Sequence, residues 1–465
     1  MRIVVCIRQG TDGDISPFDA CAYEEALKID GAEVILLSMG PQPVADLLLR
    51  LTRLGAKRAV LLADSAFAGA DTLATAYTLS LAVKKLSPDL IFCGRQTLIG
   101  DTAQVGPMLS VFAGMSLITG VMKIEKADGG ITCLTRDEGE KTAKLPALIT
   151  VERINNLRLP SITSNVGSVE VLSAKDIGAD TEKCGLSGSP TRVINTFQNE
   201  SGFRKCKFIT FDDLSAVIKE GLSKSDLTVK SAPVSGKKLK KVLIVGESPR
   251  AFAETVSDDI YVCESESEKE IIEKIEELRP SAVLFGSDSV SKRLSSLVAA
   301  KLRLGLCADC TCLETDGEKL IMYRPAMSGS VIAEIESLTV PAMATVRTKR
   351  ESSDIVVAAG FGAYECLEKV KRFAASLGAD MAASRKAVDN GILPYDLQVG
   401  LTGKTVSPAV YIAIGVSGAV HHIAGMGKSG TVIAINPDKN AQIFDYADYG
   451  IVSNFEEYKI QEENL

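Results

Sequence analysis

The sequence predicts an α/β fold made of three parallel-sheet units. Short apolar and β-branched runs alternate with helical stretches of about 10 to 15 residues, which is the pattern of β-α-β units. Most of the strand-like runs are apolar throughout, as expected where helices cover both faces of a sheet. The alternation occurs three times along the 465 residues. Because single cores seldom grow beyond about 250 to 300 residues, we expect two to four domains.

The first unit begins at the N-terminus, where strands and amphipathic helices follow one another without interruption. The strand-like runs are short, and the helical runs carry apolar residues at helical spacing. The predicted strands are residues 2–7, 32–40, 58–64 and 89–96, and the predicted helices are residues 19–29, 43–55 and 72–86.

A less regular region precedes the second unit. Residues 152–235 hold few strand signals, several serine and glycine clusters and one helix near 211–221, and LTVKSAPVSGKKLKK has the composition of a solvated linker. Alternation then resumes. RPSAVLFGSDSVSKRLSSLVA has the same order of features as SPDLIFCGRQTLIGDTAQVGP in the first unit: a proline, a buried strand, then a polar loop that opens a helix. This similarity predicts two related domains.

The third unit starts near residue 351. DIVVAAGFGAYECLEKVKRFAASLGA predicts a strand, a glycine loop and a helix, and AVYIAIGVSGAVHHIAGM and TVIAINPD add two buried strands. Ligands of open parallel sheets bind outside the carboxyl ends of the strands. We therefore expect GVSGAVHH and AINPD at a ligand-binding edge.

Composition excludes several classes of partner. The net charge of −7 gives no general attraction to nucleic acid or anionic lipid, and no apolar run reaches the roughly 20 residues that insert in a membrane. The N-terminus reads as a strand and not as a signal peptide, which predicts a cytoplasmic location. The 11 cysteines lie mostly in apolar runs, and CADCTC, which has half of a metal-site spacing, is interpreted as structural with no metal bound.

Two glycine-containing loops have both a structural and a ligand-binding interpretation. Gly360 and Gly362 follow a strand but lack the rest of a dinucleotide motif, so they make either a tight turn or a close approach to a ligand. Asp101 or Thr102 would cap the next helix, with or without a phosphate at its N-terminus. The residues alone leave these alternatives open.

The third unit holds three further candidates. QVGLTGKTVSP would cradle a phosphate or a ring edge, although its glycine spacing is not that of a P-loop. Ser384 and Arg385 stand at a helix start, where an arginine can bind a pyrophosphate. His421 and His422 are the only two histidines of the chain. They have no nucleophile motif beside them, so a structural and a ligand-binding role both stay open.

Long stretches of the chain resemble the electron-transfer flavoproteins. SRKAVDNGILPYDLQVGLTGKTVSPAVYIAIGVSGAVHHIAGM, followed by AINPDKNAQIFDYADYGIV, is similar to the FAD-binding domain of that family's alpha subunit. RPSAVLFGSDS, CADCTCLE and RPAMSGSVIAEI resemble the alpha subunit's N-terminal domain. MRIVVCIRQ, SPFDACAYEEAL, AFAGADTLATAYTL, CGRQTLIGDTAQVGP and GLSGSPTRV resemble the beta subunit. The resemblance covers nearly the whole chain, in the order beta then alpha.

The resemblance implies two Rossmann-like, adenine-nucleotide-hydrolase-like parallel-sheet domains and a C-terminal doubly wound FAD-binding domain. The expected boundaries are 1–225 for the beta-like domain with its C-terminal arm, 226–238 for a linker, 239–350 for the alpha-like N-terminal domain and 351–465 for the FAD-binding domain.

The resemblance also implies an FAD site, position by position. His422 falls on the flavin C2 carbonyl, and the Thr402 hydroxyl falls near flavin N5. His421, Leu401 and Asn454 stand where other residues are usual. The complete expected set is Ser384 and Arg385 at the pyrophosphate and ribityl side, Val399, Gly400, Leu401 and Thr402 at the flavin, Ser417, Gly418, Ala419 and Val420 at the phosphates, His421 and His422, and Asn436 and Asn454.

A second nucleotide is implied in the beta-like domain. It would be AMP or, as in bifurcating members of the family, a second FAD, and GDTAQVGP is closer to the bifurcating branch. The implied contacts are Cys6, Ser38, Asp101, Thr102, Ala103, Gln104, Val105 and Gly106.

The implied function is that of an electron carrier. It would take electrons from a flavin dehydrogenase such as an acyl-CoA dehydrogenase, or from NADH in electron bifurcation, and pass them from FAD to a partner redox protein. Ile162 is the expected docking residue. Phe361 stands where the family has an arginine, and Met327–Ser330 replaces a Gly-Gly-Asn pattern. These departures keep an alternative open, a module that binds the nucleotide without efficient redox function.

Overall fold

The structure is a computed structural model that describes residues 1–10, 13–97, 99–127, 130–198, 204–224, 236–326, 331–347, 353–400, 403–404, 406, 408–427 and 429–459. Contacts divide the chain into two compact units. The first unit comprises residues 1–196, 229–327 and 333–348, and the second comprises residues 197–228, 328–332 and 349–465. The four segments expected from the sequence stay a prediction.

A nine-stranded sheet forms the N-terminal part of the first unit. Its strands and the helices between them are, in chain order, β1 (Arg2–Cys6), α1 (Pro17–Leu27), β2 (Glu33–Met39), α2 (Val44–Thr52), β3 (Arg58–Leu62), α3 (Thr72–Leu86), β4 (Leu90–Gly94), α4 (Val105–Ala113), β5 (Ser116–Ala127), β6 (Gly130–Thr135), β7 (Gly139–Lys144), β8 (Ala147–Val151) and β9 (Ser168–Leu172). The seven elements predicted up to residue 96 are confirmed.

The order of this sheet, β7-β6-β5-β8-β4-β1-β2-β3-β9, creates a crevice at one edge. The chain runs outward from β1 through β2 to β3 and then returns to β4 on the other side of β1, and all of these pairings are parallel. Such a reversal separates the loops after β1 and β4, which is where open α/β sheets bind ligands.

The irregular region 152–235 contains more strand than expected. Beside β9 it holds β10 (Thr191–Gln198) and β11 (Lys207–Phe208), and the expected helix is α5 (Leu214–Lys224). β9 lies at the sheet edge and buries only one residue, so it lacks the alternation that predicts a strand.

A second parallel sheet completes the first unit. The elements of this segment are β12 (Val242–Val245), α6 (Arg250–Val256), β13 (Ile260–Cys263), α7 (Glu268–Leu278), β14 (Ala282–Phe285), α8 (Ser289–Leu302), β15 (Leu306–Cys310), β16 (Cys312–Thr315), β17 (Leu320–Ala326), β18 (Val331–Ser337) and β19 (Ala342–Val346). Five strands form the sheet β13-β12-β14-β19-β15, and another sheet has the order β10-β18-β17-β16.

The two parallel sheets of the first unit share the arrangement that their sequences predicted, in which a helix end and a proline precede a buried strand. α3 and α7 both end on a residue in the left-handed region, Ser87 and Arg279, each followed by a proline and a buried strand. After β14, Asp288 caps α8 through its side chain. This repeated arrangement supports the prediction of two related domains.

The second unit is built around a six-stranded sheet with the order β11-β24-β23-β22-β20-β21. All of its pairings are parallel, and its central strands are buried over their whole length. Besides β11 and α5, its elements are β20 (Ile355–Ala359), α9 (Leu367–Ser376), β21 (Asp380–Ala383), α10 (Arg385–Asp389), β22 (Val410–Ile414), α11 (Val420–Met426), β23 (Thr431–Ile435) and β24 (Tyr449–Ile451). The chain reverses between β20 and β22, which places the second crevice there.

Candidate nucleotide-binding sites

The carboxyl edge of the six-stranded sheet gathers most residues expected at the FAD site. Ser384 follows β21, Ser417 to Val420 follow β22, Asn436 follows β23, and Asn454 follows β24. Since parallel strands end at the same edge, residues spread over 71 positions of the sequence lie on one side of the sheet. Leu401, Thr402 and the His421 side chain lie outside the described part of the chain.

Close backbone packing joins the loops that follow β20 and β22, which border the crevice. A Cβ added to Gly360 would lie 2.0 Å from the Gly415 carbonyl oxygen, so only glycine fits. The N–H of Gly360 donates to Ile414 O and that of Gly362 to Gly415 O, at 2.8 and 3.1 Å. The glycines at 360 and 362 therefore make the tight turn that was one of their two interpretations.

His422 lies in the interior, beneath this edge. It is 5% exposed, and its Nε2 lies 2.9 Å from the hydroxyl of Tyr411, which is completely buried in β22. Burial lowers the pKa of His422 to about 4. The Val399 backbone opposes this shift, although no hydrogen bond of normal geometry joins the two residues. The imidazole is therefore neutral at pH 7 and not an imidazolium.

The neighbour of His422 favours one tautomer of its ring. Burial raises the pKa of Tyr411, so the phenol keeps its proton and can donate it to Nε2. A neutral ring that accepts at Nε2 carries its proton on Nδ1. Nδ1 is buried and has no hydrogen-bond partner among the described residues. A buried donor without a partner is costly, which fits a ligand acceptor at this position.

The loop before β22 packs against α11, which carries His422. Val399 N donates to Ala383 O at 2.9 Å, and Val406 N donates to Gly425 O at 2.8 Å. A Cβ on Gly425 would come within 2.3 Å of Gly400 N, so the two backbones touch. Val399 and Gly400 thereby lie close to the helix that carries His422.

The remaining polar residues of the edge mostly hold the backbone. Ser384 caps α10 by accepting from Ala387 N at 3.4 Å. Asn436 donates to Val416 O at 3.0 Å and accepts from Asp438 N at 2.9 Å. The exposed Asn454 accepts from Glu456 N at 3.1 Å. These contacts order the loops from which a nucleotide would be bound.

Two cations follow Ser384 and differ in their partners. Arg385 forms an ion pair with Asp389 at 3.1 Å. Lys386 instead places its Nζ 4.5 Å from the centre of the Phe361 ring, which is 40% exposed. Position 361 lacks the arginine of the family pattern, but a cation is held directly above the aromatic ring that replaces it.

A second set of expected residues meets at the crevice of the nine-stranded sheet. Cys6 ends β1, next to Cys93 of β4, and the buried Ser38 lies near the end of β2. A hydrogen bond with Cys6, together with burial, raises the pKa of the Cys93 thiol. The expected contacts therefore occupy neighbouring strand ends on one side of the sheet.

The loop from Asp101 to Gly106 leads into α4 without a side-chain cap. The expected cap by Asp101 or Thr102 is wrong, because the helix begins after Gln104 and Gln104 makes no capping hydrogen bond. Asp101 and Ala103 adopt φ of 50° and 57°, which carries the loop past the positions where a cap would form. Gln104 is buried and accepts from the Thr72 hydroxyl at 2.8 Å.

Arg324 of β17, a strand of the four-stranded sheet, holds this loop from the other half of the same unit. Its Nη2 donates to Gly100 O at 2.7 Å and lies 3.4 Å from Asp101 O. The side chain is 7% exposed. Neither Arg324 nor Tyr411 was expected from the sequence, because each acts through a partner that is distant along the chain.

Asp19 of α1 joins the two loops that border the crevice. Its carboxylate accepts from Arg8 N after β1 at 2.9 Å and from Gly94 N at the end of β4 at 3.1 Å. Burial raises the pKa of Asp19 to about 7, against the opposing effect of these N–H groups and of the Arg8 charge. No sequence pattern marks this residue beyond an acidic side chain in a helical run.

Two general features concern the described residues. None of their helices is long and apolar enough to cross a membrane. They include no cluster of three His, Cys, Asp or Glu side chains that could hold a metal ion. Cys307 and Cys310 of CADCTC are buried in β15.

Two family models match the chain. Residues 3–177 and 265–359 match the electron transfer flavoprotein domain. Residues 350–427 match the electron transfer flavoprotein FAD-binding domain. The first model alone matches more than half of the chain, and the second covers the edge that carries Ser384 and His422.

Curated relatives include both subunit types. "Protein FixA" of Azorhizobium caulinodans is 40% identical over 252 residues, which are 46% of this chain and 90% of the relative. In Thermoanaerobacterium thermosaccharolyticum, "Electron transfer flavoprotein subunit beta" is 41% identical over 202 residues, 41% of this chain and 78% of the relative. Its "Electron transfer flavoprotein subunit alpha" is 36% identical over 233 residues, 40% of this chain and 71% of the relative. These matches are consistent with a beta and an alpha subunit fused in one polypeptide, and the chain belongs to the electron transfer flavoprotein family.

Proposed function

We propose that this electron transfer flavoprotein carries electrons on one FAD, bound at the carboxyl edge of the six-stranded sheet, between a flavin dehydrogenase or NADH and a partner redox protein. The observation that carries the proposal is the buried His422 Nδ1, a hydrogen-bond donor without an acceptor among the described residues. FAD, when bound, supplies the ring that accepts and releases electrons.

The residues of this chain would bind the cofactor and set its reduction potential. His422 would donate from Nδ1 to the flavin C2 carbonyl, where negative charge accumulates on reduction, and Tyr411 would hold the ring in that tautomer. Ser384 and Arg385, with Ser417 to Val420, would bind the pyrophosphate and ribityl side. Val399, Gly400, Leu401 and Thr402 would contact the flavin, and Asn436 and Asn454 would order the adenine side.

Reductive titration tests this proposal against the alternative of a nucleotide-binding module. We expect NADH or a purified acyl-CoA dehydrogenase with its substrate to bleach the bound FAD. FAD that binds but accepts electrons from neither donor would favour the alternative.

We propose a second nucleotide, AMP or FAD, at the crevice of the nine-stranded sheet. Cys6, Ser38 and the loop from Asp101 to Gly106 would contact it. The support is that the backbone N–H groups of residues 102–106 make no hydrogen bond with the described residues, and that α4 has no side-chain cap. Unpaired N–H groups at a helix start can bind a phosphate. Two FAD per chain would support bifurcation with NADH, and one FAD with one AMP would exclude it.

The partner dehydrogenase would dock on an apolar surface loop. Leu159 and Ile162 are 89% and 98% exposed. The loop is anchored nearby by Arg158, which makes a two-pronged ion pair with Glu24 of α1 at 2.8 to 3.1 Å. We expect Ile162→Asp to slow reduction by the dehydrogenase and to leave the flavin spectrum unchanged. An unchanged rate would remove Ile162 from the docking surface.

A further inference from the structure

A charged cleft lies between the nine-stranded and the five-stranded sheets of the first unit. The space within it that can hold the centre of a water molecule is about 40 Å³. Ala103 and Pro107, at the start of α4, line one side, and Lys292 and Arg293 of α8 line another. The cleft also reaches Arg95, which directly follows β4. It therefore adjoins the loop proposed above to bind the second nucleotide.

Contacts with the β6–β7 turn fix the face of α8 that points into the cleft. The Ser289 hydroxyl donates to Asp137, and Arg293 Nη2 donates to Glu138 Oε2 at 3.0 Å. Residues three and four positions apart lie on one face of a helix. Lys292, which is three positions after Ser289, is thereby directed towards the nine-stranded sheet.

Lys292 is the cation of the cleft that has no ion-pair partner among the described residues. Glu152 pairs with Arg95 at 2.9 Å, and Glu138 pairs with Arg293 at 3.0 Å. The other cations at the cleft are thus already matched by carboxylates.

The charges that face Lys292 come from several elements. Burial lowers the pKa of Lys292, Asp309 and Asp101 act to raise it, and Arg95 and Arg347 act to lower it. Asp309 is itself paired with Arg347. The charged groups around Lys292 are mostly paired with one another. An anionic ligand would therefore stabilise this desolvated cation, since charge-assisted hydrogen bonds are roughly twice as strong as neutral ones.

The start of α4 supplies the other half of an anion site. The helix has nine residues, and the N–H groups of residues 102–106 make no hydrogen bond with the described residues. The free N–H groups and the positive end of the helix dipole both favour a negative ligand at this point.

We propose that Lys292 and the α4 N-terminus together bind the phosphate group of the second nucleotide, so that the site is completed across the boundary between the two sheets. This inference rests on the proposed second nucleotide and adds a residue from the other half of the unit. The phosphate would bridge α4 and α8, and nucleotide binding would therefore reinforce the packing of the two domains.

The test compares Lys292→Met with Lys301→Met in the full chain. Lys301 lies on the same helix, but it pairs with Glu268 and does not line the cleft. Protein stripped of nucleotides is reloaded with one equivalent of FAD, and binding of AMP, adenosine and inorganic pyrophosphate is measured by calorimetry. We expect the Kd for AMP to rise about tenfold in Lys292→Met, to stay unchanged in Lys301→Met and to recover in Lys292→Arg. Adenosine, which has no phosphate, should bind all variants equally.

Equal AMP affinity in wild type and Lys292→Met, with equal thermal midpoints, would overturn the inference. If AMP and a second FAD do not bind but pyrophosphate binding depends on Lys292, the proposed second nucleotide fails and the anion site stands. If pyrophosphate does not bind to the wild type either, both proposals fail.

Discussion

At the scale of single residues, His422 connects the fold to the proposed electron carrier. Its ring is neutral because it is buried, and Tyr411 contacts Nε2, which leaves Nδ1 as the ring nitrogen available to a ligand. The proposed cofactor therefore meets a fixed hydrogen-bond donor and not a fixed positive charge. This arrangement stabilises charge on the ligand without a buried ion in the empty site.

We expect His422→Ala to make FAD reduction less favourable by about 1.5 to 3 kcal/mol, the contribution of a hydrogen bond to a charged acceptor. A spectroelectrochemical titration of wild type and variant measures this difference. Tyr411→Phe is the companion variant, because it keeps the His422 ring but removes the hydroxyl beside Nε2, so that either tautomer can form. The reduction potential should shift less in this variant than in His422→Ala. An unchanged potential in His422→Ala would contradict the role assigned to Nδ1.

Lys386 changes the expectation for position 361. Loss of the family's arginine alone predicts less favourable flavin reduction, and we expect the cation above Phe361 to offset part of that loss. We expect Lys386→Met to make reduction less favourable by about 0.5 to 1 kcal/mol, since the side chain is exposed. Lys371→Met is the control, because Lys371 pairs with Glu368 on α9. Equal potentials in both variants would show that Lys386 does not act on the cofactor.

Asp19 predicts a pH dependence of stability. Its pKa is about 7 in the folded protein, against an ordinary value of 3.8, so the folded state holds the proton more tightly. Stability from this group is fully present below pH 4 and falls as the pH rises towards 7, by about 4 kcal/mol in total. Urea unfolding of wild type and Asp19→Asn across this range measures the difference. The free energy of unfolding of Asp19→Asn should not fall in this way as the pH rises. Parallel pH profiles of wild type and variant would contradict the raised pKa of Asp19.

At the scale of elements, the tight turn after β20 sets the shape of the FAD crevice. We expect Gly360→Ala to lower the free energy of unfolding by about 3 kcal/mol, because its Cβ would overlap the Gly415 carbonyl. Gly362→Ala is the matched comparison, since its Cβ would lie 3.0 Å from the same oxygen. The cost of that variant should be smaller. Similar denaturation midpoints for wild type and Gly360→Ala would show that the two turns move apart freely.

The elements that the sequence predicts are those with a local signal. β1 to β4 and their helices were predicted because apolar periodicity is a property of neighbouring residues. β10 was not, because Val193 and Ile194 are exposed and no periodicity marks the strand. The cap expected from Asp101 or Thr102 was wrong, since Asp101 and Ala103 are left-handed in a loop that Arg324 contacts from more than two hundred positions away.

The location of the candidate FAD site could be predicted from the sequence, but the contacts within it could not. Parallel strands put Ser384, Ser417 and Asn436 on one edge, which the sheet rule anticipates. The individual roles came from the family resemblance, and they stay predictions. The contacts that orient the site, above all Tyr411 with His422, join residues whose proximity only the folded chain reveals.

At the scale of the whole molecule, one chain combines the sequences of two subunit types. Both the beta and the alpha relatives are covered over most of their own length by less than half of this chain. Covalent connection raises the effective concentration of the two parts for each other, so their association no longer depends on protein concentration.

The most direct test of the account is the visible spectrum of the purified protein, followed by release and counting of its nucleotides. We predict flavin absorbance with one FAD per chain in the C-terminal domain and a second adenine nucleotide, AMP or FAD, in the first unit. A protein that shows no flavin absorbance, even after incubation with FAD, would contradict the central claim.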